Sequence, residues 1–169
     1  MKMKYSKEQL VQLLQLEPHP EGGFFKETYR SEGIIPHESL PNDYSDQRNY
    51  STGIYFLLTS ENFSAFHKIH QDEMWHFYDG SPLRIHIISN EGDYTSQLVG
   101  RDLSNGELPQ FVVKGGSWFA SEVVEDNSFS LAGCTVAPGF DFQDFVLADR
   151  TDLLNRFPKH TNIIQKLTR

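Results

Sequence analysis

Residues 50–59 read Tyr50-Ser51-Thr52-Gly53-Ile54-Tyr55-Phe56-Leu57-Leu58-Thr59, and this stretch decides the fold class. Aromatic and β-branched side chains dominate it, the composition that fits a pleated, half-buried surface. It stops at Ser60-Glu61-Asn62, where small polar residues favour a turn. The same pattern recurs over 62–69, 74–79, 83–89, 94–100, 110–114, 117–124, 128–137 and 143–149. Asp79-Gly80-Ser81-Pro82, Asn90-Glu91-Gly92, Ser104-Asn105-Gly106, Gly115-Gly116, Glu125-Asp126-Asn127 and Pro138-Gly139 punctuate these segments. Many short strands with no helices between them indicate an all-β sandwich or barrel rather than βαβ units.

Towards the N-terminus, 33–49 is polar, holds Pro36 and Pro41, and reads as a long loop. Phe24–Arg30 reads as a further strand. His19-Pro20-Glu21-Gly22-Gly23 before it has turn chemistry, with prolines that fix the backbone and glycines that free it. Ser6-Lys7-Glu8-Gln9 has the capping-box form, and Leu10, Leu13 and Leu14 follow at helical spacing. A helix over 6–17 is expected, stopped by Pro18 and Pro20. On the other side, the tail turns helical from Thr151, breaks at Pro158 and resumes over 161–167. The whole chain, 1–169, is expected to be one domain with its barrel over about 24–149 and helical ends.

The net charge is −8, and no basic run stands out, which argues against nucleic acid and anionic lipid as partners. The longest apolar runs are far too short to span a bilayer. Met1 to Tyr5 is basic, but Gln12 and Gln15 interrupt the apolar residues that follow, which is an amphipathic pattern and not a signal-peptide core. Cys134 is the single cysteine, so no internal disulfide forms and a reducing compartment is the default. A cytoplasmic location is the expectation.

Three of the seven histidines crowd into His67-Lys68-Ile69-His70-Gln71-Asp72-Glu73-Met74-Trp75-His76. Histidine and carboxylate together suit divalent metal binding or proton transfer. On a hairpin, His67 near the end of one strand can face Glu73 near the start of the next. Strand alternation puts Glu73, Trp75 and Phe77 on one face and His76 and Tyr78 on the other, so Glu73 and His76 converge only through a bulge. His70 reads as a turn residue. Trp118 opens a strand after Gly-Gly-Ser and could wall a ligand pocket or fill the core. Asp141 could point inward and orient a histidine, whereas Asp144 reads as solvated. Arg30 and Arg48 read as surface ion-pair residues, and Cys134 as a buried structural thiol.

The window resembles the first motif of the cupin family, G-x5-H-x-H-x3-4-E-x6-G. Glu73 to Gly80 matches its E-x6-G part and His67 its first histidine. The second histidine falls at Ile69, and the initial glycine at Glu61. In the second motif, Lys114-Gly115-Gly116 occupies the turn and Phe119 stands where the last metal-binding histidine would be. Two of the four customary ligands, His67 and Glu73, are therefore kept. The stretches His19 to Arg30, Ser64 to Ile69, Asp72 to Tyr78 and Gly133 to Phe145 resemble a subfamily of small single-domain cupins with no assigned activity. The resemblance implies a double-stranded β-helix, or jelly roll, with short terminal helices, and a homodimer. In shape the subfamily is similar to dTDP-4-dehydrorhamnose 3,5-epimerase and to the seed-storage and auxin-binding cupins.

The functional expectation is a small-molecule-binding protein, with isomerase- or epimerase-type acid–base chemistry on a sugar-like or small polar metabolite. His67 is the candidate base, and His76, Tyr78 and Asp141 are candidate partners. Glu73 and Trp118 are the candidate ligand contacts. No cofactor is required on this reading. One alternative is a divalent-metal enzyme that uses His67, Glu73 and His76; another is a binding protein without turnover.

Overall fold

Alternation along the strands sorts side chains to two faces, and the chain folds so that two such faces meet. A computed structural model describes residues 4–169; residues 1–3, the start of the basic N-terminal run, lie outside the described residues. One sheet has the spatial order β1 (Glu17–Pro18), β2 (Phe24–Arg30), β5 (Thr52–Thr59), β12 (Phe129–Ala137), β7 (Asp72–Gly80) and β10 (Gln110–Val113). The other has the order β13 (Val146–Leu147), β6 (Phe63–Lys68), β11 (Trp118–Val123), β8 (Leu83–Ile88) and β9 (Tyr94–Val99). A hairpin of β3 (Ile34–Ile35) and β4 (Arg48–Asn49) stands apart. From β5 to β8, and again from β10 to β13, consecutive strands alternate between the two sheets. This is the jelly-roll connection, and the expected all-β fold is what the chain adopts.

The inner layer holds Phe56, Leu58, Trp75, Leu83, Ile85, Val113, Phe119 and Cys134, all buried. Two further clusters lie on the outer faces. Helix α1 (Lys7–Leu13) packs Leu10, with Leu16 behind it, against Leu57, Phe129 and Leu131 of the six-stranded sheet. Helices α2 (Arg150–Arg156) and α3 (Thr161–Lys166) pack Leu153 and Ile164, with the nearby Phe157 and Leu167, against Phe66, Ile88, Trp118 and Ala120 of the five-stranded sheet. The Ser6 capping box forms as read, with Gln9 as its partner. The helix stops earlier than 6–17, because Gln15 takes φ 54° and Glu17–Pro18 pairs with Phe24–Phe25 as β1.

Three local readings change. The loop over 33–49 carries the β3–β4 hairpin and a 3-10 turn at His37–Ser39. Of 143–149, only Val146–Leu147 is a strand; a 3-10 turn over Phe142–Asp144 precedes it, capped by Asp141. Asp144 is buried, not solvated, and Arg48 is buried with it. The Arg48 guanidinium donates to Asp144 through Nε at 2.8 Å and Nη2 at 2.5 Å, and Gln71 Nε2 donates to the same carboxylate at 2.7 Å. This network anchors the segment that ends in Phe145. Arg30 is the exposed ion-pair residue it was read to be, with Glu27 at 2.8 Å.

Candidate active site

Between the sheets a cavity of about 220 Å³ opens at one end of the barrel. Its buried end is polar. His67, the penultimate residue of β6, is 2% exposed, and Glu73, the second residue of β7, is 9% exposed. Both line the cavity, so the expected meeting of these two residues is what the barrel brings about. Ile69 lines it as well, and Phe119, paired with His67 across β11 and β6, packs on the imidazole with ring centroids 4.0 Å apart.

A carboxylate that the sequence reading did not single out completes the floor. Glu21 Oε2 lies 3.0 Å from His67 Nε2, and the Ala65 carbonyl lies 2.7 Å from His67 Nδ1. Each ring nitrogen faces an acceptor, which an imidazolium satisfies with both N–H groups. Burial opposes charge on His67, but the Glu21 carboxylate outweighs it and raises the pKa. Burial likewise works against ionised Glu21, and the His67 charge and hydrogen bond, with His19 and Ser64, overcome it and lower the pKa. Ser64 Oγ donates to Glu21 Oε1 at 2.8 Å. His19 sits beside the pair and accepts the Glu21 backbone N–H at Nδ1, 3.3 Å away. Burial lowers its pKa, so it is the neutral histidine of the two.

Glu73 behaves oppositely to Glu21. Burial, then the nearby Glu21 charge, push its pKa up to about 7. The adjacent Cys134 thiol is raised well above its ordinary value by burial and by Glu73, and is a buried, protonated thiol as read. Two carboxylates in one pocket are thus driven apart, one held ionised and the other close to neutral, the pattern that separates acid–base roles.

The Glu21 position follows from Gly22 and Gly23. Both have positive φ, 118° and 76°. A Cβ on Gly22 would lie 2.1 Å from the Phe63 carbonyl oxygen, and one on Gly23 2.8 Å from that of Leu57. The Glu21 carbonyl accepts the Ala65 N–H at 2.8 Å and a hydrogen bond from Arg169. Gly22→Ala is therefore expected to lower stability by about 2 kcal/mol or more, since strain and clash act together. Urea unfolding measures this, and an unchanged midpoint would contradict it. The paired glycines after a glutamate were the available signal; as turn chemistry alone they hid a buried carboxylate.

The other candidates lie elsewhere. β7 keeps regular register with β12 from Asp72 to Phe77, with no bulge between Glu73 and His76. His76 therefore stays on the outer face, where Nε2 meets Thr135 Oγ1 at 2.9 Å. Tyr78 is also on that face, half exposed and edge-on to Tyr55. Trp118 is buried under the C-terminal helices, with Lys68 over its ring. Asp141 lines the outer part of the cavity, and its carboxylate accepts the Gln143 N–H at 2.8 Å. The histidine is oriented by Glu21 and not by Asp141. His70 is an exposed turn residue, 3.2 Å from Asp43.

The His67–Glu73–His76 metal triad is thus not assembled, because strand alternation points His76 away. The donor set does not fit the usual cupin metal either: Ile69 and Phe119 fill two ligand positions with hydrocarbon, and both nitrogens of His67 are engaged. Among the described residues no group of three or more His, Cys, Asp or Glu side chains has the arrangement to hold a metal ion.

The chain matches the family described as Cupin superfamily (DUF985) over residues 8–148. It belongs to that cupin family. This cupin is 36% identical over 158 residues to the uncharacterized protein YML079W of Saccharomyces cerevisiae, covering 88% of this chain and 78% of the yeast protein. The crystal structure of protein SO0799 from Shewanella oneidensis superposes with a TM-score of 0.86 at 42% identity, covering 98% of each chain. A hypothetical protein from Leishmania major gives a TM-score of 0.88 at 35% identity, covering 97% of this cupin and 99% of that chain. No helix among the described residues of this cupin is long and apolar enough to cross a membrane.

Proposed function

We propose that the cavity binds a small molecule and moves a proton on it, as an acid–base enzyme of the isomerase or epimerase type. The observation that carries this reading is Glu73, a buried carboxyl on the cavity wall whose pKa is pushed up to about 7. A group that titrates near the working pH is populated both as base and as acid, which is what a reversible proton transfer needs. In the proposed step, the Glu73 carboxylate takes a proton from a carbon next to a carbonyl. The electron pair moves onto the carbonyl oxygen, and the charge of the His67 imidazolium, whose two N–H groups are held by Glu21 and the Ala65 carbonyl, stabilises the oxyanion without donating to it. Glu73 then returns its proton as the carbonyl reforms: to the same carbon on its opposite face, once the enolate has turned over in the cavity, which epimerises it, or to the γ-carbon of a conjugated enolate, which shifts the double bond. This assigns the base to Glu73 and gives His67 the electrostatic role.

The walls support a substrate with more hydrocarbon than a sugar. Phe25, Phe56 and Trp75 line it, together with Phe140, Phe142 and Phe145 from the segment after β12; Phe142 is exposed, and Phe145 reaches in to 5.4 Å from the His67 ring. A homodimer belongs to the same proposal, with the outer face of the six-stranded sheet as its contact; Tyr29, Met74 and Tyr78 are exposed there. The test is hydrogen exchange into a panel of small enolisable carbonyl compounds in deuterated water. Incorporation at one carbon with retained or isomerised product is expected. Tight binding without incorporation would contradict turnover and leave a binding protein.

A further inference from the structure

The cavity carries a charge pattern that bears on what it admits, and this step rests on the small-molecule reading above. Its two cationic side chains are both already matched. Arg30 donates through Nε and Nη2 to the two Glu27 carboxylate oxygens at 3.0 and 2.8 Å, and through Nη2 and Nη1 to the Phe140 carbonyl at 3.1 Å and Asn49 Oδ1 at 2.9 Å. His67 is matched by Glu21 at 3.0 Å. Among the described residues no lysine lines the cavity. One carboxylate is left over: Asp141 adds to the field on Arg30 but makes no ion pair among the described residues, while Glu73 at the buried end is close to neutral. A carboxylate or phosphate would enter this space without a free cation to receive it.

The mouth supplies what an organic cation needs instead. Phe140, Phe142 and Phe145 stand at steep angles to one another, with interplanar angles of 80° and 73° and centroids 5.0 to 6.5 Å apart. The His19 ring lies along one side of Phe142, 6.0 Å away, and the His67 ring lies 5.4 Å from Phe145, which leaves Phe140 and the exposed side of Phe142 to a ligand; the face of an aromatic ring attracts a weakly hydrated cation. Arg48 and Gln71 fix the segment through Asp144, so the three rings are held in place before a ligand arrives.

We infer that the cavity selects a small organic cation, an ammonium group on an apolar or aromatic frame. The ammonium rests at the mouth between Asp141 and the phenylalanine rings, and the frame reaches inward to Glu73 and His67.

Benzylamine, benzyl alcohol and benzoate share a ring and differ in charge, so they form the test. Binding is measured at pH 6 by the NMR shifts of the Ile54 and Ile69 methyl groups, which report the cavity. Benzylamine is expected to bind roughly tenfold or more tightly than benzyl alcohol, with benzoate weaker than both. In Asp141→Asn the advantage of the amine is expected to shrink towards that of the alcohol. Benzoate or benzyl alcohol equal to or tighter than benzylamine at these methyls would overturn the charge inference and leave the small-molecule site standing. No shift with any of the three would count against both. An amine preference that Asp141→Asn leaves intact would overturn the placement of the ammonium.

Discussion

Glu73→Gln is expected to lower proton exchange by about 10²–10⁴-fold, the usual worth of a positioned acid–base group, while making the folded protein more stable at alkaline pH. The stability effect follows from linkage. Burial raises the Glu73 pKa from 4.5 to about 7, so the folded protein keeps this proton where the unfolded chain has lost it. Below the unfolded value both states are protonated and the residue contributes no difference. As pH rises from there to about 7, ionisation favours the unfolded chain, and above it the full cost of a buried carboxylate is present. That cost is about 3 kcal/mol. Glutamine has nothing to ionise, so the variant gains up to that amount at pH 8 and little at pH 4. Urea unfolding at the two pH values measures it. A gain of the same size at both would contradict the account.

Glu21→Ala is expected to have the largest effect on folding, a loss of about 3–5 kcal/mol, because it leaves the His67 imidazolium buried without its carboxylate. The pair also sets a pH window. The His67 pKa is raised, so its contribution is complete below the ordinary histidine value and fades as pH climbs through the raised one. The Glu21 pKa is lowered, so its contribution is complete above the ordinary carboxylate value and fades as pH falls through the lowered one. Both are complete between the ordinary carboxylate and the ordinary histidine values, where the variant suffers most. A double-mutant cycle with His67→Ala at pH 6 isolates the pair. Removing both residues is expected to cost clearly less than the two single losses added together, and additive losses would show that the residues act independently.

The strands were legible because runs of aromatic and β-branched residues lie between turn residues; in β5 and β12 both faces are buried over long stretches, so composition marks them and not alternation. β5, β8 and β12 fall within a residue or two of the segments read from composition. His67 and Glu73 were legible as a histidine and a carboxylate at the facing ends of a hairpin. His76 shows the limit. Its nearness to His67 and Glu73 along the chain suggested a shared site, but only a bulge could have turned it inward, and β7 keeps its register there. Trp118 was legible as a buried aromatic but not as belonging to the layer beneath α2 and α3 instead of the cavity. Glu21 and Asp144 were hidden because both sit in irregular segments, where no periodicity sorts inside from outside. Their burial is decided by distant partners, His67 for one and Arg48 for the other.

The charge state of Glu73 is the centre of this account, and carbon-13 NMR of its side-chain carboxyl, assigned by its loss in Glu73→Gln, reads it directly. A pH titration of the folded protein is expected to show this resonance changing with a midpoint near 7. A midpoint in the ordinary carboxylate range, near that of an exposed glutamate, would mean that Glu73 is fully ionised at neutral pH, and the proposed proton transfer would lose its acid.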